Sequence, residues 1–175
     1  MIYEHGGQED IEIIALDAQT MQLRHRFGLG LLNDAGQLVV GGDELYVCDT
    51  GNDRLQVFSL AGEHRRSITG EWRSPLSLCF AKDRLYLVEQ DYLGGADEHQ
   101  QVRGRRILVL SLQGDILQVV TQPCRSSRIL QVVTASFQSI CCFDHKLLAT
   151  YRYWTEESAG THKKWRCGLL ALQGL

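Results

Sequence analysis

Apolar residues along this chain come in short runs, each bounded by a cluster of Gly, Asn, Asp or Ser. Runs of about four to eight β-branched, aromatic or aliphatic residues between such clusters are strand signals. The clearest stretch is 44–70, which predicts strands at 45–48 and 55–60 and a shorter, more polar one at 65–69. Asp49-Thr50-Gly51-Asn52-Asp53 and Ala61-Gly62-Glu63 separate them. Gly, Asn and Asp tolerate the positive φ of tight reversals, so both clusters predict turns. No segment predicts a helix, although 125–133 suits a turn or a further strand.

The pattern repeats. Leu55-Gln56-Val57-Phe58-Ser59-Leu60 has counterparts in Ile11-Glu12-Ile13-Ile14-Ala15-Leu16, Ile107-Leu108-Val109-Leu110-Ser111-Leu112 and Cys167-Gly168-Leu169-Leu170-Ala171-Leu172. From Ile11 to Leu55, Leu55 to Ile107 and Ile107 to Cys167 the spacings are 44, 52 and 60 residues. A second element recurs as Asp43-Glu44-Leu45-Tyr46-Val47, Asp83-Arg84-Leu85-Tyr86-Leu87 and Asp144-His145-Lys146-Leu147-Leu148. Self-similarity at about 40–50 residues with strand-like pieces throughout is the signature of a β-propeller or a related array.

Grouped by repeat, the strands are 11–16 with 22–27; 37–40, 45–48, 55–60 and 65–69; 76–80, 85–89, 107–112 and 116–121; and 137–143, 147–153 and 166–172. The expected architecture is all-β, one propeller region over 1–175. It comprises an outer half-blade at 11–28, blades at 36–70 and 75–122, and a blade at 135–175 lacking its outer strand. This is about three to four blades, whereas closed propellers have about four to eight. An open array would expose an unpaired strand edge and half an inter-blade core. The chain is therefore expected to be part of a longer propeller, or one completed by self-association.

The stretch Leu45-Tyr46-Val47-Cys48-Asp49-Thr50-Gly51-Asn52-Asp53-Arg54-Leu55-Gln56-Val57-Phe58, followed by Gly62, resembles the NHL repeat family. That family's pattern is a strand ending in Ala-Asp, a Thr/Ser-Gly-Asn turn, then Arg and an apolar strand. The motif is specific in this blade. The next keeps Leu85-Tyr86-Leu87-Val88-Glu89 and Arg106-Ile107-Leu108-Val109 around an insertion. The resemblance implies an interaction propeller. It brings two alternatives: single-stranded RNA binding, as in some tripartite-motif proteins, and metal-dependent lyase or lactonase chemistry.

Composition narrows these little. A net charge of −3 argues mildly against a strong nucleic-acid binder. Every apolar stretch is interrupted before membrane-span length, so no membrane is expected. Residues 1–10 lack a basic region and an apolar core, so no secretory signal is expected and the setting expected is cytoplasmic. Cys48, Cys79, Cys124, Cys141, Cys142 and Cys167 show no metal-ligand spacing and read as reduced packing residues. In a strand, the neighbours Cys141 and Cys142 point to opposite faces.

Loop length varies on one face. The link between second and third strands shares that face with the links between blades. It spans 49–53 in the first blade, 90–105 in the second and roughly 154–165 in the third. The opposite face keeps tight turns at Gly62 and Gly114. Insertions confined to one face of a repeat array mark its working surface. Trp72, Arg73, Asp91, Tyr92, His99, Arg103, Arg105, Tyr153, Trp154, His162 and Lys163 are the expected partner-binding residues, aromatics with Arg on an exposed rim. Taken singly, Trp72, Trp154 and Trp165 read slightly better as filling the wedge between blades. Asp49, Asn52 and Arg54 read as architectural, the first two bonding backbone amides within the turn.

Chemistry is less legible. There is no Gly-x-Ser-x-Gly, and His5, His25, His64, His99, His145 and His162 share no ligand spacing. Only His99, His162 and Asp91 could meet on one face. The innermost strands, where propeller metals sit, are nearly all apolar or small. No catalytic residue, metal or cofactor is expected. Basic groups interleave with Asp91, Asp97, Glu98, Glu156 and Glu157, so the face is mixed rather than basic. A protein or peptide partner ranks first, RNA second and catalysis third.

Overall fold

The computed structural model describes residues 11–90, 106–121, 135–143, 146–156 and 163–172. Thirteen antiparallel strands and one short 3-10 turn occupy these residues, in four sheets. β1 (Ile13–Leu16) and β2 (Leu23–Phe27) form a hairpin. β3 (Ala35–Gly41), β4 (Glu44–Asp49), β5 (Arg54–Ser59) and β6 (His64–Thr69) form a four-stranded sheet in chain order. β7 (Pro75–Ala81), β8 (Arg84–Glu89), β9 (Arg106–Leu110) and β10 (Ile116–Thr121) form another, and β11 (Ala135–Phe143), β12 (Lys146–Glu156) and β13 (Lys163–Leu172) the last. The all-β, repeat-built class is the one the apolar pattern predicts.

Burial on both faces explains why the second strands read as continuous apolar runs. Along β4, Leu45 and Val47 face a cluster with Leu32 and Phe58, while Tyr46 and Cys48 face one shared with the next sheet. β8 repeats this: Leu85 and Leu87 pack toward the sheet before it, Tyr86 and Val88 toward the one after. A sheet between two sheets has no solvent face, so strict alternation of apolar and polar residues disappears. The innermost strands lie side by side, β3 against β7 and β7 against β11.

The hairpin takes the outer half of a blade. Its Phe27 meets Phe58 edge-on at 5.3 Å, and Ile11 and Ile13 cover Leu45 and Val47. Nothing among the described residues covers the inner part of that face. Leu38, Leu78 and Ile140 hold one repeat position, opposite Val47, Leu87 and Ala149 in their ladders. Leu78 and Ile140 are 0% and 1% exposed, whereas Leu38 is 45% exposed.

Tight turns close the other end of both four-stranded sheets. Gly62 and Gly114 hold φ of +91° and +97° between third and fourth strands. A Cβ at Gly114 would stand 2.3 Å from the Cγ2 of Ile68, so that position requires glycine for space as well as for φ.

Candidate functional site

The loop face is built on two buried carboxylates. Asp49 ends β4 fully buried and accepts hydrogen bonds from the Asn33 amide (2.7 Å), Asn52 Nδ2 (3.0 Å), Arg54 Nε (2.7 Å) and Gln56 Nε2 (3.3 Å). Glu89 ends β8, also fully buried, and accepts from the Arg73 amide (3.1 Å) and from Nε and Nη2 of Arg106 (2.6 and 3.0 Å). Each arginine then reaches back to a carbonyl in the link entering its own sheet: Arg54 to Leu31 and Arg106 to Glu71, both at 3.1 Å. Buried ionised groups persist only when paired and fully hydrogen-bonded, and both carboxylates meet that condition. One device, used twice, ties an incoming link to the sheet it enters.

This corrects the expected local roles. Asp49 takes an amide from the incoming link rather than one within its turn, and Asn52 donates to Asp49 instead of accepting from the backbone. Further bonds join neighbouring sheets. Thr50 Oγ1 donates to the Pro75 carbonyl at 2.6 Å. Asp53, at φ +55°, accepts from the Ser74 amide (2.6 Å) and from Arg73 Nη1 (3.1 Å).

Of the expected partner-binding residues, Trp72 is a correction. It is 1% exposed, packed with Ile68 and Leu110 between the first and second four-stranded sheets, with its ring against Gly70 and Gly114. Two glycines free the volume an indole needs, and the wedge between blades is the other place the sequence offers for this ring. Arg73 does lie on the rim, its side chain 59% exposed and paired with Asp53. Asp91, Tyr92, His99, Arg103, Arg105 and His162 lie outside the described residues.

The third sheet departs from the expected loop of 154–165. Its ladder pairs Tyr153 with Arg166, Trp154 with Trp165 and Glu156 with Lys163, so these positions are strand. At the register of the Asp49–Arg54 pair stand Tyr151 and Gly168, and pairing runs five residues further along each strand. At the usual rise per residue, this hairpin projects about 17 Å past the buried carboxylates of the other sheets. Tyr153, Trp154 and Lys163 belong to that projection.

The opposite face has its own ion pairs. Arg66 and then Tyr46 and Arg65 hold the Glu44 carboxyl down to about 2, against its slight burial, and Arg66 also reaches the Leu112 carbonyl at 3.3 Å. The adjacent arginines Arg65 and Arg66 are therefore occupied by Glu44 and Asp43. Among the described residues no three His, Cys, Asp or Glu side chains gather where a metal could sit.

No protein-family model matches the chain, and no curated protein matches it significantly. Solved structures do. Myxococcus xanthus glutaminyl cyclase is similar at 14% identity and a TM-score of 0.54, over 81% of this chain and 56% of that one. The Neurospora crassa Pan2 WD40 domain matches at 9% identity and 0.53, over 90% and 44%. The RRP9 WD40 repeats match at 11% and 0.51, over 94% and 46%. The chain thus spans about half the length of each. Likeness at such identities is one of fold, and that fold is the β-propeller.

Proposed function

We propose that this propeller region is a non-enzymatic interaction scaffold of NHL type, docking a protein or peptide on its loop face. The observation that carries the reading is the contrast between the two layers of that face. Below, buried acid–arginine hubs lock the links of two successive sheets into one platform. Above, the second-to-third connections differ in each sheet: a 3-10 turn at Thr50–Asn52, the insertion after Gln90, and the projecting β12–β13 hairpin. A rigid base with variable, mixed-charge tips suits recognition of a folded or extended polypeptide. The NHL assignment rests on Asp49-Thr50-Gly51-Asn52 and the arginine that follows it. The Leu38 face, half exposed where its repeat equivalents are buried, supports completion of the array by association.

RNA is the alternative. Phosphate contacts need free cations, yet Arg54, Arg65, Arg66, Arg73 and Arg106 each hold a carboxylate. A titration with pooled single-stranded RNA at low and physiological salt separates the readings. The scaffold reading predicts no sub-micromolar binding even at low salt. Tight binding that weakens steeply with salt, and is lost in Arg103→Glu/Arg105→Glu, would replace it with RNA recognition.

A further inference from the structure

We propose that Cys79 and Cys142 are a redox-active pair that can join the second four-stranded sheet to the third sheet by a disulfide. Cys79 lies on β7 and Cys142 on β11, 63 residues apart in sequence, with their sulfur atoms 3.0 Å apart across the junction. Both are free thiols in this structure. A disulfide needs the sulfurs to close by about 1 Å, within reach of small side-chain rotations. The repeat itself does not call for thiols here. In the preceding sheets, Val39 holds the ladder position of Cys79, and Phe80 that of Cys142.

The two cysteines differ in a way that orders the steps. Cys79 is 5% exposed, whereas Cys142 is half-buried and open to a small reagent. Cys141 is exposed and lies on the other face of the strand, away from Cys79. Burial raises both thiols above their usual value, so neither is a thiolate at rest. With a low-molecular-weight disulfide such as glutathione disulfide as oxidant, the Cys142 sulfur attacks one of its sulfurs. A mixed disulfide forms, and one glutathione leaves carrying the Cys142 proton. The Cys79 sulfur then attacks the Cys142 sulfur, and the second glutathione leaves with the Cys79 proton. Two protein thiols are oxidised and one disulfide is reduced to two thiols.

The bond would clamp two innermost strands together and fix the angle between their sheets. If the projecting β12–β13 hairpin is part of the docking face, as proposed above, oxidation also sets its position. The chemical test is independent of that reading.

The purified full chain is incubated with glutathione disulfide, alkylated with N-ethylmaleimide under denaturing conditions and digested with trypsin. The expected product is the peptide 74–82 joined to 129–146, reversed by dithiothreitol. Cys141→Ser should retain the link and Cys142→Ser should lose it. Melting temperature should rise by roughly 5–10 °C on oxidation of the wild type alone. Six alkylated cysteines after oxidation, or a link that survives Cys142→Ser, would overturn the proposal.

Discussion

At the scale of single residues, the fold is most exposed to change at its buried carboxylates. Asp49→Asn keeps the shape but turns an amide NH2 toward donors on Asn52, Arg54 and Gln56. Breaking a buried, hydrogen-bonded pair from one side costs about 3 kcal/mol, and that loss is expected in urea unfolding. Glu89→Gln should cost a similar amount, and adding Arg54→Leu to Asp49→Asn should cost clearly less than the sum of the two changes. Strict additivity would mean that the arginine and the carboxylate do not work as a unit. These hubs were only half legible in the sequence. Asp49 and Arg54 sit five residues apart around a recognisable turn, but Glu89 and Arg106 are separated by 17. Four further partners, Leu31, Asn33, Glu71 and Arg73, contribute backbone groups, which leave no signature in residue type. For Trp72 the sequence left both the rim and the wedge between blades open for a related reason, and the structure places it in the wedge. The glycines that admit its ring lie partly in the next sheet, and no local window shows them.

At the scale of elements, the repeat was readable because both faces of each inner sheet are buried, which imposes the same apolar run wherever a blade occurs. The third sheet is less legible in the sequence. Trp154, Thr155 and Glu156 look like a loop beside the shorter hairpins of its neighbours, yet the β12–β13 ladder extends through them. Antiparallel pairing can continue wherever opposing residues are β-prone, and Trp, Tyr and Thr are. Turn glycines give a prediction that separates strain from space. Gly114→Ala meets both a positive φ and the Ile68 side chain, so a loss of about 2–3 kcal/mol is expected. Gly42→Ala meets a positive φ but open space, so about 1 kcal/mol is expected. Equal losses in urea titrations would show that the junction gives way around Ile68 more readily than its packing implies.

At the scale of the whole molecule, one edge of the array carries Leu38 and Val40, 45% and 52% exposed, whereas Leu78 and Ile140, at the repeat position of Leu38, are covered. Burying the exposed half of each is worth about 1 kcal/mol, which favours completing the ring. Sedimentation should therefore give a mass above that of one chain, shifted toward one chain by Leu38→Asp/Val40→Asp. A compact monomer at all concentrations would contradict completion by association. The account as a whole rests on the loop face being the docking face. The direct measurement places a photo-crosslinking amino acid at Glu71 on that face or at Gln113 on the opposite one, both exposed. Each variant is irradiated in cells that make the protein, and adducts are read by mass. Discrete protein adducts from Glu71 and none from Gln113 are the predicted result. Adducts from Gln113 alone, or nucleic-acid adducts from Glu71, would contradict a protein-docking loop face.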